Sequence, residues 1–141
     1  MGEFYCLAEK FLETRRSFPY VKFDKAIKKK TNNDICILSY LYMHGKETYP
    51  KELSREFMVS TARMAVLLNG LEKKGYISRN TDKKDSRRTV IKLMPLGEKF
   101  FMEENEKTLE LIVSFFKELG EKDASEFVRL YEKLMRFAAK A

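Results

Sequence analysis

The sequence predicts a mainly α (α+β) fold: helices, one short β-hairpin, then helices again. Three observations carry this. Apolar residues recur at helical spacing along most of the chain. The period changes to that of a strand only around residues 76–79 and 89–93. Positive charge gathers at that change.

The elements follow in order. Phe4, Leu7, Ala8, Phe11 and Leu12 predict a helix over 3–16, which Pro19 interrupts. The basic stretch from Lys22 to Lys30 is a short helix or a solvated loop. Asn32 or Asn33 caps the next helix, whose inner face is Ile35, Leu38, Leu41 and Tyr42, with Gly45 ending it. Pro50 suits the first turn of a short helix that buries Leu53 and Phe57. Ser60 reads as the cap of another, with Met64, Leu67, Leu68 and Leu71 inward and Gly75 at its end. Two strands, 76–79 and 89–93, flank a polar loop from Asn80 to Arg88, too long for a two-residue turn. Residues 96–119 return to helix with the stripe Leu109, Ile112, Phe116 and Leu119, stopped by Gly120. Asp123 and Glu126 have capping-box spacing before the last stripe, Phe127, Leu130, Tyr131, Leu134 and Ala138.

Length and composition suit one domain, 1–141, with a core that needs no disulfide or metal: 141 residues, 44% apolar and 35% charged. No apolar run approaches the ~20 residues of a membrane span. Nothing at the start has the look of a signal peptide, and two cysteines without CxxC spacing fit a reducing setting, so a cytoplasmic protein is expected. The net charge of +7 is uneven. Residues 1–59 carry +3, residues 60–92 carry +6, and residues 96–141 carry −2. A polyanion would meet the middle segment, leaving the ends for another task.

Two short helices, 50–57 and 60–74, joined by a tight turn at Met58-Val59 have helix-turn-helix spacing, and a basic hairpin follows at once. That order is a winged helix-turn-helix. In such a unit the second helix enters the major groove and the hairpin reaches the backbone or minor groove. The outward face of 60–74 offers Thr61, Ala62, Arg63, Ala65, Val66 and Asn69. Arg63 can read guanine with two bonds, and Ala65 and Val66 can touch thymine methyls. Ser60 and the free amides behind it can hold a phosphate. Lys83, Lys84, Arg87 and Arg88 are cations on the wing, with Asp85 placed to orient Arg87. Singly, an amphipathic helix is ordinarily core and a charged loop ordinarily solvated. Their sequence order, with the charge concentrated there, is what favours DNA.

Over residues 50–100 the chain resembles the MarR family of regulators. The resemblance rests on Pro50-Lys51-Glu52-Leu53, Ser60-Thr61-Ala62-Arg63, Leu71-Glu72-Lys73-Lys74-Gly75-Tyr76-Ile77-Ser78-Arg79, the wing from Asp82 to Arg88, and Val90-Ile91-Lys92-Leu93 with Leu96-Gly97. It departs from the family at Val66, Gly70 and Met94-Pro95, which bears on the operator rather than the fold. The resemblance implies a homodimer through intertwined end helices, 1–31 and 96–141, around a DNA-binding lobe, 32–95. It implies Arg87 in the minor groove. The function expected is a sequence-specific DNA-binding regulator on a pseudo-palindromic operator, a repressor released by a small ligand. Two alternatives stand beside it: an oxidant sensor acting through Cys6, and a winged domain used only for protein contact.

No enzymatic constellation is legible. His44 is the sole histidine, no phosphate-cradling glycine loop is present, and no cofactor or metal is expected. Cys6 is a candidate redox residue if Tyr20, Tyr40 or Tyr42 approach it in a dimer; the plainer reading is a small apolar thiol. Cys36 is expected in the core. Leu7, Phe11, Tyr40 and His44 are candidates to border a ligand crevice, against the plainer reading of core packing.

Overall fold

The computed structural model describes residues 2–18, 27 and 32–141. Pro19, Tyr20 and the basic stretch up to Lys30, apart from residue 27, lie outside the described residues. The helices and strands are α1 (Glu3–Ser17), α2 (Asn33–Met43), β1 (Glu47–Thr48), α3 (Pro50–Glu56), α4 (Thr61–Lys73), β2 (Ile77–Thr81), β3 (Thr89–Leu93), α5 (Pro95–Leu119) and α6 (Glu121–Ala138).

Local chemistry sets most of these boundaries. Asn32 Oδ1 accepts the Ile35 amide at 3.0 Å and Ser60 Oγ accepts the Arg63 amide at 3.1 Å, so both act as N-caps. Pro50 and Pro95 sit at the first turns of α3 and α5, where a missing N–H costs nothing. Gly75 turns the chain out of α4 at φ +77°, a backbone region that suits glycine. Gly97 answers a different need. A Cβ there would lie 2.2 Å from the Tyr76 carbonyl oxygen, so only glycine lets α5 cross the start of the wing.

The sheet has three antiparallel strands in the order β1-β3-β2. The wing runs in register from Ile77 opposite Leu93 to Thr81 opposite Thr89. Strand β1 was not expected. It is two residues long, too short for any periodicity, and is defined by its pairing of Thr48 with Ile91. The wing strand β2 also runs farther than the polar loop expected from Asn80. Asn80 and Thr81 are polar because the ribbon projects into solvent, while their backbones still pair with Val90 and Thr89.

One core lies among these elements. Ile37, Leu38 and Leu41 of α2 meet Leu53 of α3 and Met64, Leu68 and Leu71 of α4. Ile77, Ile91 and Leu93 of the sheet and Phe101 of α5 complete it. Each fully buried leucine or isoleucine contributes about 1.5–3 kcal/mol of transfer free energy. Three details of the packing differ from the stripes read in the sequence. Ile37 is fully buried, whereas Tyr42 is 40% exposed and lies against Phe101 with ring centroids 5.3 Å apart. Helix α2 is wedged between α4, β3 and α5, so its inner face is wider and turned relative to a single stripe. Phe57 and Leu67 are half-buried at the edge. Finally, α6 begins at Glu121 behind Gly120, which turns the corner at φ +85°. Asp123 therefore lies inside the first turn, and Glu126 pairs with Arg129 instead of capping.

Candidate nucleic-acid interface

Helices α3 and α4 pack on each other through Leu53, Met64, Leu68 and Leu71, and the turn between them is tight enough to put Met58 at φ +51°. That packing fixes which side of α4 faces out. Thr61, Ala62, Arg63, Ala65, Val66 and Asn69 are all exposed there. Ser60 is exposed too, but its hydroxyl oxygen is engaged as the cap, which leaves the neighbouring amides of the first turn as the donors open to a ligand there.

The wing loop is ordered by its own backbone. The Asp82 amide donates to the Arg88 carbonyl at 2.9 Å, and the Arg88 amide donates to the Asp85 carbonyl at 3.0 Å. Asp82 Oδ1 accepts the Lys84 amide at 3.1 Å. Asp85 Oδ1 accepts the Arg87 amide at 3.0 Å. Asp85 was expected to orient the Arg87 guanidinium; it holds the Arg87 backbone instead, because a side chain that short closes on an amide two residues ahead. Arg88 is seated apart from its neighbours. Its guanidinium carbon lies 3.6 Å from the centre of the Tyr49 ring. The Tyr49 hydroxyl donates to Asp82 Oδ2 at 2.9 Å.

Three cations of residues 60–92 are held in ion pairs within the chain. Lys74 pairs with Asp34, Arg79 with Glu72 and Lys92 with Glu47. Among the described residues Arg63, Lys83, Lys84 and Arg87 enter no ion pair, and all four are exposed. These four stand at the start of α4 and on the wing loop; Lys73, at the far end of α4, is likewise exposed and without an ion pair.

Arg79 was not singled out from the sequence. Its guanidinium reaches Glu72 Oε1 at 2.9 Å and Oε2 at 3.3 Å, and also bonds Asn69 Oδ1. Hydrogen bonding from Arg79 holds the Glu72 carboxyl below its ordinary range. The stem of the wing is thereby clamped to the end of α4, and Asn69, an outward-facing residue, is already restrained. The opposed charges of Glu72 and Arg79 across the Gly75 turn were the available signal.

A crevice of about 340 Å³ opens between α2 and α5. Tyr40 and His44 line it, with Cys36, Phe57, Phe101 and Asn105 among their companions. The Tyr40 and His44 rings stack at 4.0 Å, and His44 Nδ1 lies 2.8 Å from the Tyr40 carbonyl. Leu7 and Phe11 do not line this crevice. They sit on α1, every residue of which is exposed. Cys36, expected in the core, is half-buried at the crevice wall, and burial pushes its thiol up. Cys6 is exposed on α1. Among the described residues no cluster of three metal-ligating side chains occurs, and no helix is long and apolar enough to cross a membrane.

Comparison with known proteins agrees with this geometry. The model of the MarR family matches residues 31–88. The chain is 29% identical over 115 residues to YwhA of Bacillus subtilis (strain 168), an uncharacterized HTH-type transcriptional regulator; the match spans 80% of this chain and 82% of that one. Its fold is similar to that of a MarR family protein from Bacillus stearothermophilus, with a TM-score of 0.75 at 19% identity over 99% of each chain. It is also similar to the organohalide-sensing regulator RdhR in its 2,4-dichlorophenol-bound form. There the TM-score is 0.65 at 17% identity, covering 97% of this chain and 82% of that one. The match to the MarR family model thus takes in the helix-turn-helix and the first strand and loop of the wing, and the fold is similar to that of a MarR family protein over nearly the full chain.

Proposed function

We propose that this protein binds duplex DNA sequence-specifically as a homodimer, with 32–95 as the DNA-binding lobe and 1–31 and 96–141 as the dimerisation helices. One observation carries the reading: Arg63 at the start of α4 and Lys83, Lys84 and Arg87 on the wing are exposed cations that enter no ion pair among the described residues, at the two places where such a fold meets DNA. Arg63, with Thr61, reads base edges; Ala62, Ala65 and Val66 give apolar contact, and Asn69 adds a restrained polar group. The amides behind Ser60 hold a phosphate. Lys83, Lys84 and Arg87 neutralise the backbone, with Arg87 at the minor groove and Asp85 shaping the loop that presents it.

The dimer follows from the ends. Phe4 is 87% exposed, Phe11 66% and Leu134 58%, and a soluble monomer seldom leaves so long an apolar surface uncovered. A second copy about a two-fold axis covers them and sets two copies of α4 about one DNA turn apart, which makes the operator a rough inverted repeat. The crevice beside Tyr40 and His44 is the effector site, and its occupant releases the repressor. Its walls are mainly apolar and aromatic, which suits a small planar ligand. A phenol of the kind bound by the similar RdhR is the natural first probe.

The test is to select bound fragments from a random-sequence duplex library, then to measure binding of the selected and an unselected duplex across a salt series. Specific binding that weakens steeply with salt is expected. Arg63→Ala should cost roughly 1–3 kcal/mol on the selected duplex alone. Equal loss on both duplexes would make Arg63 a phosphate clamp. Absence of affinity for any duplex would leave a protein-contact module.

A further inference from the structure

We propose that Tyr49 and Arg88 form a latch that fixes the angle of the wing to the helix-turn-helix, so that Arg88 is a positioning residue and not a phosphate contact. This rests on the DNA-binding reading above and assigns one of its cations a different task.

Tyr49 is anchored on both sides. Thr48 before it pairs with Ile91 in the sheet, and Pro50 after it opens α3. A residue before proline is confined to extended backbone, and Tyr49 sits there at φ −110° and ψ 147°. Its carbonyl accepts the Leu53 amide at 3.2 Å, which ties it into the first turn of α3. The ring therefore projects from a fixed point on the helix-turn-helix toward the wing.

At the other end it meets both limits of the wing loop at once. The hydroxyl donates to Asp82, where the loop starts, and the ring face lies under Arg88, where it ends. Those two residues are themselves joined by the bond from the Asp82 amide to the Arg88 carbonyl. The Lys84 amide and the Tyr49 hydroxyl hold the Asp82 carboxyl below its usual range, so the acceptor stays charged at neutral pH. One aromatic side chain thus closes the neck of the loop. A guanidinium held over a ring gains from the ring's negative face. Arg88 would have to leave that face to reach a phosphate. Arg87 beside it has only its amide engaged, and its charged end is free. Adjacent arginines in one loop therefore have separate roles: Arg88 points the wing, and Arg87 delivers charge from it.

The experiment has two arms. In the free protein, amide hydrogen exchange is followed at Asp82 and Arg88 in wild type, Tyr49→Phe and Tyr49→Leu. Exchange at these amides should be about tenfold faster in Tyr49→Leu, and intermediate in Tyr49→Phe, which keeps the ring. Unchanged exchange in both variants overturns the latch, whether or not the protein binds DNA. In the second arm, Tyr49→Leu, Arg88→Ala, Arg87→Ala and the double variant Tyr49→Leu/Arg88→Ala are titrated with the tightest library-selected duplex across a salt series. Arg87→Ala should lower the slope of log K against log salt by about one. Arg88→Ala should weaken binding with the slope kept, and the double variant should bind no worse than the weaker single one. A slope lowered by about one in Arg88→Ala, with losses that multiply in the double variant, makes Arg88 a phosphate contact and overturns the proposal. If wild type binds no duplex, the DNA-binding reading fails, and the exchange arm still decides the latch.

Discussion

Helices α4 and α6 carry the same kind of amphipathic stripe with opposite outcomes. Met64, Leu68 and Leu71 of α4 are at most 1% exposed. Phe127, Leu130, Tyr131 and Leu134 of α6 are 49–58% exposed. Helix α1 is more extreme, with no buried residue at all. A stripe therefore states which face of a helix must leave water, not whose side chains will cover it. The lobe covers its own stripes because α2, α3, α4, α5 and the sheet converge on one core. The end helices have no such convergence among the described residues, and in the dimer proposed above a second copy would cover them. The charge follows the same division: residues 60–92 carry +6, while the segment 96–141 carries −2.

The largest effect is expected where the ends are made unable to pair. Leu130→Asp with Leu134→Asp puts charge into both copies of the stripe. Light scattering should report monomers. Affinity for an inverted-repeat duplex should fall by roughly 10²–10⁴, because two linked half-site contacts become one. Dimers that persist with unaltered affinity would break the comparison, since the exposed stripe would then have no partner to lose.

Next comes the lobe itself. Leu68→Ala removes a side chain that is 1% exposed in the centre of the core. It should destabilise by about 2–5 kcal/mol in denaturant unfolding while the folded fraction stays dimeric. A change of oligomeric state instead would show that the core and the dimer surface are not separate. Between the two regions stands Gly97, where α5 crosses Tyr76 on its way out of the lobe. Gly97→Ala forces a Cβ against backbone and should cost about 1–3 kcal/mol. Part of that loss should appear as weaker dimerisation if α5 is tilted as it leaves the lobe.

The legibility of the sequence divides along the same line. Helix α4 was readable because its stripe, its cap Ser60 and its terminal Gly75 agree with one another, and α5 because its stripe runs up to Gly120. Strand β1 was not readable, because a two-residue strand is created by its partner and leaves no period of its own. At the site, the outward face of α4 followed from the inward one by geometry alone. Pairings across the fold did not. The contact of Arg88 with Tyr49 spans thirty-nine positions, and nothing in either residue's surroundings names the other. The crevice was only half legible for a related reason: Tyr40 and His44 share one helix face, whereas Leu7 and Phe11 belong to a helix with no buried residue and line no part of it.

The smallest expected effect separates two ion pairs that look alike. Arg79 holds Glu72, with side-chain exposures of 28% and 40%; Arg129 holds Glu126, with exposures of 59% and 53%. In both carboxyls the arginine hydrogen bond is the main cause of a value below the ordinary 4.5. A carboxyl with a depressed folded value stabilises above its unfolded value. That stabilisation is lost as pH falls through the folded one. Both pairs should therefore add to stability at neutral pH and cease to do so on the acid side of about 4.5. Glu72→Gln and Glu126→Gln should each flatten the acid limb of a urea-midpoint profile. They should differ in salt. The Glu126 pair stands on an open helix face, so roughly 0.5 M salt should erase its contribution. The Glu72 pair also accepts the Arg79 amide, and that arginine bonds Asn69, so part of its contribution should survive. If both variants lose their effect equally in salt, the clamp at the wing stem is no more than a surface ion pair, and the restraint on Asn69 must come from α4 alone.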